Sequence, residues 1–133
     1  MKILPTRIHG MTDYMTGVLL IAAPWLFGFS DNTAATYVPI VLGAGIILYS
    51  LITDYEMGIA RIISMRTHLI LDLLGGAFLA ASPWLFNFDE RVYLPHLIVG
   101  LMEIAVTLIT ETRPRRAYNS TDNAKFRNRH SAV

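Results

Sequence analysis

Residues 2–30 of the chain recur at residues 61–89, displaced by 59 positions, and twelve of the 29 aligned positions are identical. Lys2–His9 aligns with Arg61–His68, and Ala22–Phe29 with Ala81–Phe88. The identities include Arg7/Arg66, His9/His68, Asp13/Asp72 and Gly17/Gly76. The second half of the unit repeats more loosely. Tyr37-Val38-Pro39 matches Tyr93-Leu94-Pro95, His96 enters as one extra residue, Gly43 matches Gly100, and Leu51–Asp54 matches Leu108–Glu111. A tandem duplication of this kind restricts the fold to two copies of one supersecondary unit packed together.

The chemistry of the repeated unit is that of a membrane. The chain is 53% hydrophobic and only 16% charged, with mean hydropathy +0.45, whereas soluble domains carry about 25% charged residues. Four apolar segments, roughly 10–29, 36–53, 69–88 and 92–110, approach the ~20 residues needed to cross a hydrocarbon layer ~30 Å thick. They are apolar most of the way round rather than along one stripe. The expected fold is therefore all-α: an integral membrane four-helix bundle of two tandem helical hairpins, residues 2–57 and 61–111. A basic tail, 112–133, follows and is expected to be disordered and drawn to anionic lipid. A cleaved signal peptide does not account for the first segment, because Pro24 directly follows the alanines and the same unit recurs internally.

Ten of the eleven cations fall before the first segment, between the second and third, or after the fourth; the other side has only Arg91. Counting Lys and Arg in this way places both termini in the cytoplasm, in a multi-pass protein of the cytoplasmic (inner) membrane. Each unit holds two crossings, so both copies insert the same way up and are expected to relate by a pseudo-two-fold along the membrane normal. Residues 54–66 mix apolar and cationic positions and read as interfacial, with Met57, Ile59, Ile62 and Ile63 in lipid and Arg61 and Arg66 at headgroups. The expected surroundings are the bilayer, with another membrane protein or a second copy as candidate protein partners, and no nucleic acid.

Pro24-Trp25 and Ser82-Pro83-Trp84 lie near the ends of the first and third segments. Proline frees the carbonyl four residues back, Leu20 in one copy and Leu79 in the other. In lipid such a carbonyl must find a donor; Ser82 carries one and Ala23 does not. The two tryptophans suit the outer interface. Pro39 and Pro95 are expected at helix entries, where a missing N–H is harmless. The Ser-Pro-Trp tripeptide, repeated within matching membrane hairpins over nearly all of residues 2–111, resembles the SPW-repeat family of small bacterial and archaeal membrane proteins. The resemblance implies paired membrane helices and supplies no catalytic residue.

His9, Asp13, Gly17, Leu20, Pro24 and Phe27 are spaced 4, 4, 3, 4 and 3 apart and share one helix face, as do His68, Asp72, Gly76, Leu79, Pro83 and Phe86. The expectation is that these faces meet at the bundle axis, Gly17 and Gly76 allowing close approach of the two helices. Gly43 and Gly100 are the corresponding small residues of the second and fourth segments. Two His-x-x-x-Asp pairs then converge near the cytoplasmic end. A carboxylate beside an imidazole can fix its tautomer for proton relay or metal binding. The plainer expectation is a structural network in which Arg7 pairs with Asp72 and Arg66 with Asp13.

Glu103 stands opposite Ile46 of the other copy and interrupts an apolar helix. Intramembrane acids face the bundle interior and mark functional sites by default. Its expected partners are Thr107, Tyr49 or Ser50, or His68 or His9, while His96 is expected to make an ordinary interfacial hydrogen bond. The chain has no Cys, which excludes thiolate metal sites and covalent haem attachment. It also lacks His-Glu-x-x-His, phosphate-cradling glycine loops and nucleophile elbows. No metal or cofactor is assigned, and the chain is not expected to be an enzyme. A structural or accessory membrane role comes first. Transport of a proton, cation or small metabolite through a polar interior containing Glu103, Asp13 and Asp72 comes second. A haem- or quinone-binding anchor based on His9 and His68 comes third.

Overall fold

A computed structural model describes residues 2–31 and 33–114; the tail from Arg115 onward, His130 included, lies outside the described residues. Four helices follow one another: α1 (Thr6–Leu26), α2 (Ala34–Leu51), α3 (Met65–Leu85) and α4 (Leu94–Ile109). Among the described residues there is no strand beyond two isolated bridges, Leu4 with Thr110 and Thr53 with Ile63. Two helices, α2 and α3, are long and apolar enough to cross a membrane, while α4 is apolar but shorter. α1 and α3 each begin about four residues before the apolar run that announced them, because their first turns carry polar residues, His9 and His68 among them, that face inward.

α1 packs along α2 and α3 along α4; α2 meets α3 and α1 meets α4 less closely, leaving α1 and α3 diagonal across the bundle. This corrects the expected glycine contact. A Cβ on Gly17 would lie 2.9 Å from the Gly43 carbonyl oxygen, and one on Gly76 would lie 2.9 Å from that of Gly100. The glycines therefore close each hairpin internally and do not join α1 to α3. Periodicity identified the right face but not the neighbour it meets.

Polarity runs opposite to that of a soluble bundle. His9, Asp13, Thr16, Ser50, His68, Asp72, Glu103 and Thr107 are buried, whereas Met15, Val18, Leu48, Leu74, Ile98 and Leu108 are exposed. Phe27 and Phe86, expected on the inward stripe, also face out. Small apolar clusters separate the polar groups: Ala23, Phe29, Ala35 and Phe88 near the helix-turn end, and Leu20, Ile46 and Leu79 at mid-height. Tyr55, Met65 and Leu69 form a third at the opposite end, with Met57 packed against it rather than pointing outward. Ile59 and Ile62 are exposed as expected.

The tripeptide motif proves to be a way of ending a helix. Ser82 Oγ donates to the Leu79 carbonyl at 2.7 Å, satisfying the group that Pro83 leaves open. Two residues past each tryptophan the helix stops in the same way. Gly28 and Asn87 adopt φ of 69° and 54°, the left-handed conformation that glycine and asparagine tolerate best. Phe29 N–H then donates back to the Pro24 carbonyl, and Phe88 N–H to that of Pro83, each at 2.8 Å. The returning Phe29 and Phe88 plug the bundle end, both against His96. Trp25 and Trp84 point outward.

Pro39 lies inside α2, not at its entry, because the helix begins at Ala34. It cannot donate to the Ala35 carbonyl four residues back. His96 Nε2 of α4 donates to that carbonyl at 3.0 Å instead. The residue inserted in the second copy thus completes a bond that proline denies the first. At the same end Arg91 pairs with Asp31 and donates to the Phe29 carbonyl at 3.1 Å. The guanidinium, with the Thr33 hydroxyl, holds the Asp31 carboxyl well below the usual carboxylate range. This clasp is therefore intact at neutral pH and is lost only as pH falls through that lowered value.

Four outcomes are expected from denaturation in detergent, followed by helical circular dichroism. Gly100→Val places side-chain atoms against the Gly76 oxygen, 2.5 Å from an ideal Cβ, and should destabilise by about 1–3 kcal/mol. Gly45→Ala, whose Cβ meets nothing within 4 Å, should be neutral or slightly stabilising. His96→Leu leaves the Ala35 carbonyl without its donor and should lose about 1–3 kcal/mol. In a Pro39→Ala background, where a backbone N–H returns, that loss should shrink markedly.

Candidate functional site

His9, Asp13, His68 and Asp72 are all buried and meet in the bundle interior at the end where the chain enters α1 and α3. The pairing is crossed. His9 Nε2 lies 2.9 Å from Asp72 Oδ2, and His68 Nε2 lies 2.9 Å from Asp13 Oδ2. The contacts along each helix are longer, 3.4 Å for His9–Asp13 and 3.2 Å for His68–Asp72. Each imidazole Nε2 thus touches both carboxylates, and each carboxylate touches both imidazoles. The rings stand edge to face with centroids 5.4 Å apart.

A second layer holds this quartet. Thr110 Oγ1, at the end of α4, donates to the Val106 carbonyl at 2.6 Å and lies 3.0 Å from His9 Nδ1. Thr53 Oγ1, at the end of α2, donates to the Tyr49 carbonyl at 2.6 Å and lies 2.8 Å from His68 Nδ1. A threonine hydroxyl has one proton. With that proton committed to a helix carbonyl, each hydroxyl can only accept from the ring, so both Nδ1 atoms carry hydrogen. Both Nε2 atoms therefore face the carboxylates. The backbone fixes the threonines in turn: Leu4 N–H donates to the Ile109 carbonyl at 3.0 Å, and Ile63 N–H to that of Ile52, also at 3.0 Å.

The carboxylates have partners of their own. Tyr49 donates to Asp72 Oδ1 at 2.5 Å, and Ser50 lies 3.5 Å from Asp13 Oδ2. Asp13 Oδ1 is buried without a hydrogen-bond partner. Tyr49 and Tyr55 pack their rings on His68. A Cβ on Gly10 would lie 2.2 Å from the Tyr55 ring, so the absence of a side chain there lets Tyr55 close over the quartet.

Arg7 and Arg66 are exposed, and the expected Arg7–Asp72 and Arg66–Asp13 pairs are replaced by the histidines. The reason is geometric: the arginines precede the histidines by two residues and point off the inward face. Glu103 is buried, only 4% exposed, and faces Thr16 of α1 rather than Tyr49 or Ser50, which serve Asp72 and Asp13. Thr107 Oγ1 is buried without a hydrogen-bond partner, as is His96 Nδ1. A groove of about 430 Å³ between α2 and α3 has Val41, Gly45 and Leu74 along its sides and reaches Tyr49, Asp72 and Glu103.

Sequence reasoning did not assign Thr53 and Thr110 to the site. Their signal was available, since they are matched positions of the repeat, but nothing local shows that each reaches into the other copy. Comparison with curated proteins finds no match, and neither does comparison with solved structures. The SPW repeat domain matches residues 7–110, spanning both hairpins and the whole quartet. The chain belongs to the SPW repeat family.

Proposed function

We propose that the chain is a non-enzymatic, multi-pass protein of the cytoplasmic membrane with a structural or accessory role. In this reading it is built as two tandem hairpins related by a pseudo-two-fold along the membrane normal. The observation that carries it is the inverted polarity. Acids, imidazoles and hydroxyls fill the interior while exposed aliphatic residues cover α1 to α4, an arrangement that water disfavours and lipid favours. α1 and α4 then cross together with α2 and α3, because each is the packed partner of a helix long and apolar enough to span. Matching contacts in the two halves support the two-fold: Gly17 with Gly43 and Gly76 with Gly100, Thr53 with His68 and Thr110 with His9.

Orientation rests on Lys2, Arg7, Arg61 and Arg66 at the quartet end, against Arg91 at the other. Both termini are then cytoplasmic. The partners in this reading are lipid and a second copy or another membrane protein.

Transport of a proton, cation or small metabolite is the second reading, favoured by the groove that brings Asp72 and Glu103 to the bundle side. The haem reading has little support: the His9 and His68 rings approach to 5.4 Å with both carboxylates between their Nε2 atoms, which leaves no slot for a macrocycle.

Removing one member of a buried, paired set strands its partner, at about 3–5 kcal/mol. Asp13→Ala and Asp72→Ala should therefore each lower the yield of folded protein in detergent and its unfolding midpoint. Liposomes containing the wild type should show no pH-dependent ion flux. Normal folding of both variants, together with a wild-type flux that Glu103→Gln abolishes, would establish transport instead.

A further inference from the structure

We propose that the quartet is a binding site for one divalent transition-metal ion of the Zn²⁺ class, held by Nε2 of His9 and His68 and one oxygen each of Asp13 and Asp72. The proposal uses the same quartet as the structural reading but asks a different question of it, namely what neutralises its centre.

The tautomers come first. Because the protons of Thr53 and Thr110 are committed to helix carbonyls, both imidazoles carry hydrogen on Nδ1 and turn Nε2 inward. Metal-binding histidines are held in this way, with the outer N–H donated to a fixed acceptor and the inner lone pair left for the ion. Once each Nε2 gives up its proton to become a ligand, two imidazoles and two carboxylates together carry two negative charges. A buried site away from water must balance them, and one divalent cation does so with no other counter-charge. Asp13 Oδ1, buried and without a hydrogen-bond partner, is an inward carboxylate oxygen that the protein itself leaves unsatisfied.

Distances agree with this reading. A tetrahedral ion with bonds of about 2.0–2.1 Å sets its ligand atoms about 3.3–3.4 Å apart. Asp72 Oδ2 lies 2.9 and 3.2 Å from the two Nε2 atoms, Asp13 reaches His68 through Oδ2 at 2.9 Å and His9 through Oδ1 at 3.4 Å, and one ligand atom from each residue lies within 4.8 Å of all the others. Small side-chain shifts bring four donors to bonding distance of a common centre. The donor set of two imidazoles and two carboxylates suits Zn²⁺, Fe²⁺ or Co²⁺ better than Mg²⁺ or Ca²⁺, which prefer six or more oxygens. Tyr49 on Asp72 and Ser50 near Asp13 supply the outer hydrogen bonds that steady carboxylate ligands. Binding exchanges the protons held among these side chains for the ion; nothing is oxidised or reduced.

The test is Co²⁺ titration of the full chain, prepared without a histidine tag and stripped with chelator. The expected result is one equivalent bound, with the intense visible absorption of tetrahedral Co²⁺, bleached by stoichiometric Zn²⁺. Thr53→Val and Thr110→Val keep all four ligands but remove the outer acceptor, and each should weaken binding roughly 10–100-fold. His9→Asn and His68→Asn should abolish the absorption; circular dichroism identifies any variant that is misfolded, in which case the threonine variants decide. Fully helical wild type that binds no Co²⁺, or a signal unchanged in both threonine variants, overturns the site. Either outcome leaves the scaffold reading standing, since that reading is judged by folded yield and flux.

Discussion

Two membrane hairpins that touched each other only through aliphatic side chains would have little reason to choose one another over lipid. In the membrane reading proposed above, the hydrophobic effect that would join them in water is absent between helices surrounded by acyl chains. What remains is packing and the requirement that buried polar groups find partners. The crossed quartet answers that requirement with bonds that only the correct assembly provides. His9 finds its nearest carboxylate on α3 and its hydroxyl on α4, while His68 finds its carboxylate on α1 and its hydroxyl on α2. Each histidine is therefore held by elements outside its own helix, and separating the hairpins would leave polar groups of both copies unpaired at once.

The opposite end of the bundle solves a related problem with backbone. Prolines inside α1, α2 and α3 each leave a carbonyl open. Ser82 answers locally for Leu79, and His96 answers from another helix for Ala35. The left-handed residues Gly28 and Asn87 then turn the chain so that Phe29 and Phe88 close the end. Seen this way, the family's tripeptide is the beginning of a helix terminator whose last members, Gly28-Phe29 and Asn87-Phe88, lie just beyond it. Trp25 and Trp84 are its outward part.

Much of this could be read from the chain. The repeat led to the expectation of two like hairpins, and the four-residue spacing of His9 and Asp13, and of His68 and Asp72, placed the future quartet on inward faces. Ser82 was legible because proline chemistry is local. Other features depended on which neighbour a face meets, and spacing carries no such information. Gly17 and Gly76 could have served α1 against α3 but serve each hairpin. Arg7 was the more strongly charged partner for Asp72, yet His9 sits on the face that reaches it. Pro39 looked like an entry residue because the apolar run begins late, while Ala34 and Thr36 already belong to the helix. Thr53 and Thr110 show this limit most clearly: visible as a repeated pair, they gain meaning only when each is found against the other copy's histidine.

The central claim is that the imidazoles bond across the bundle rather than along their own helices. Solid-state NMR on protein in bilayers, with histidine labelled in ¹⁵N and aspartate in ¹³C, reads this directly. Strong through-space correlations should link His9 Nε2 to the carboxyl carbon of Asp72 and His68 Nε2 to that of Asp13, with both Nδ1 nitrogens protonated. Correlations confined to His9–Asp13 and His68–Asp72, or protons on Nε2 with bare Nδ1 atoms, would contradict it.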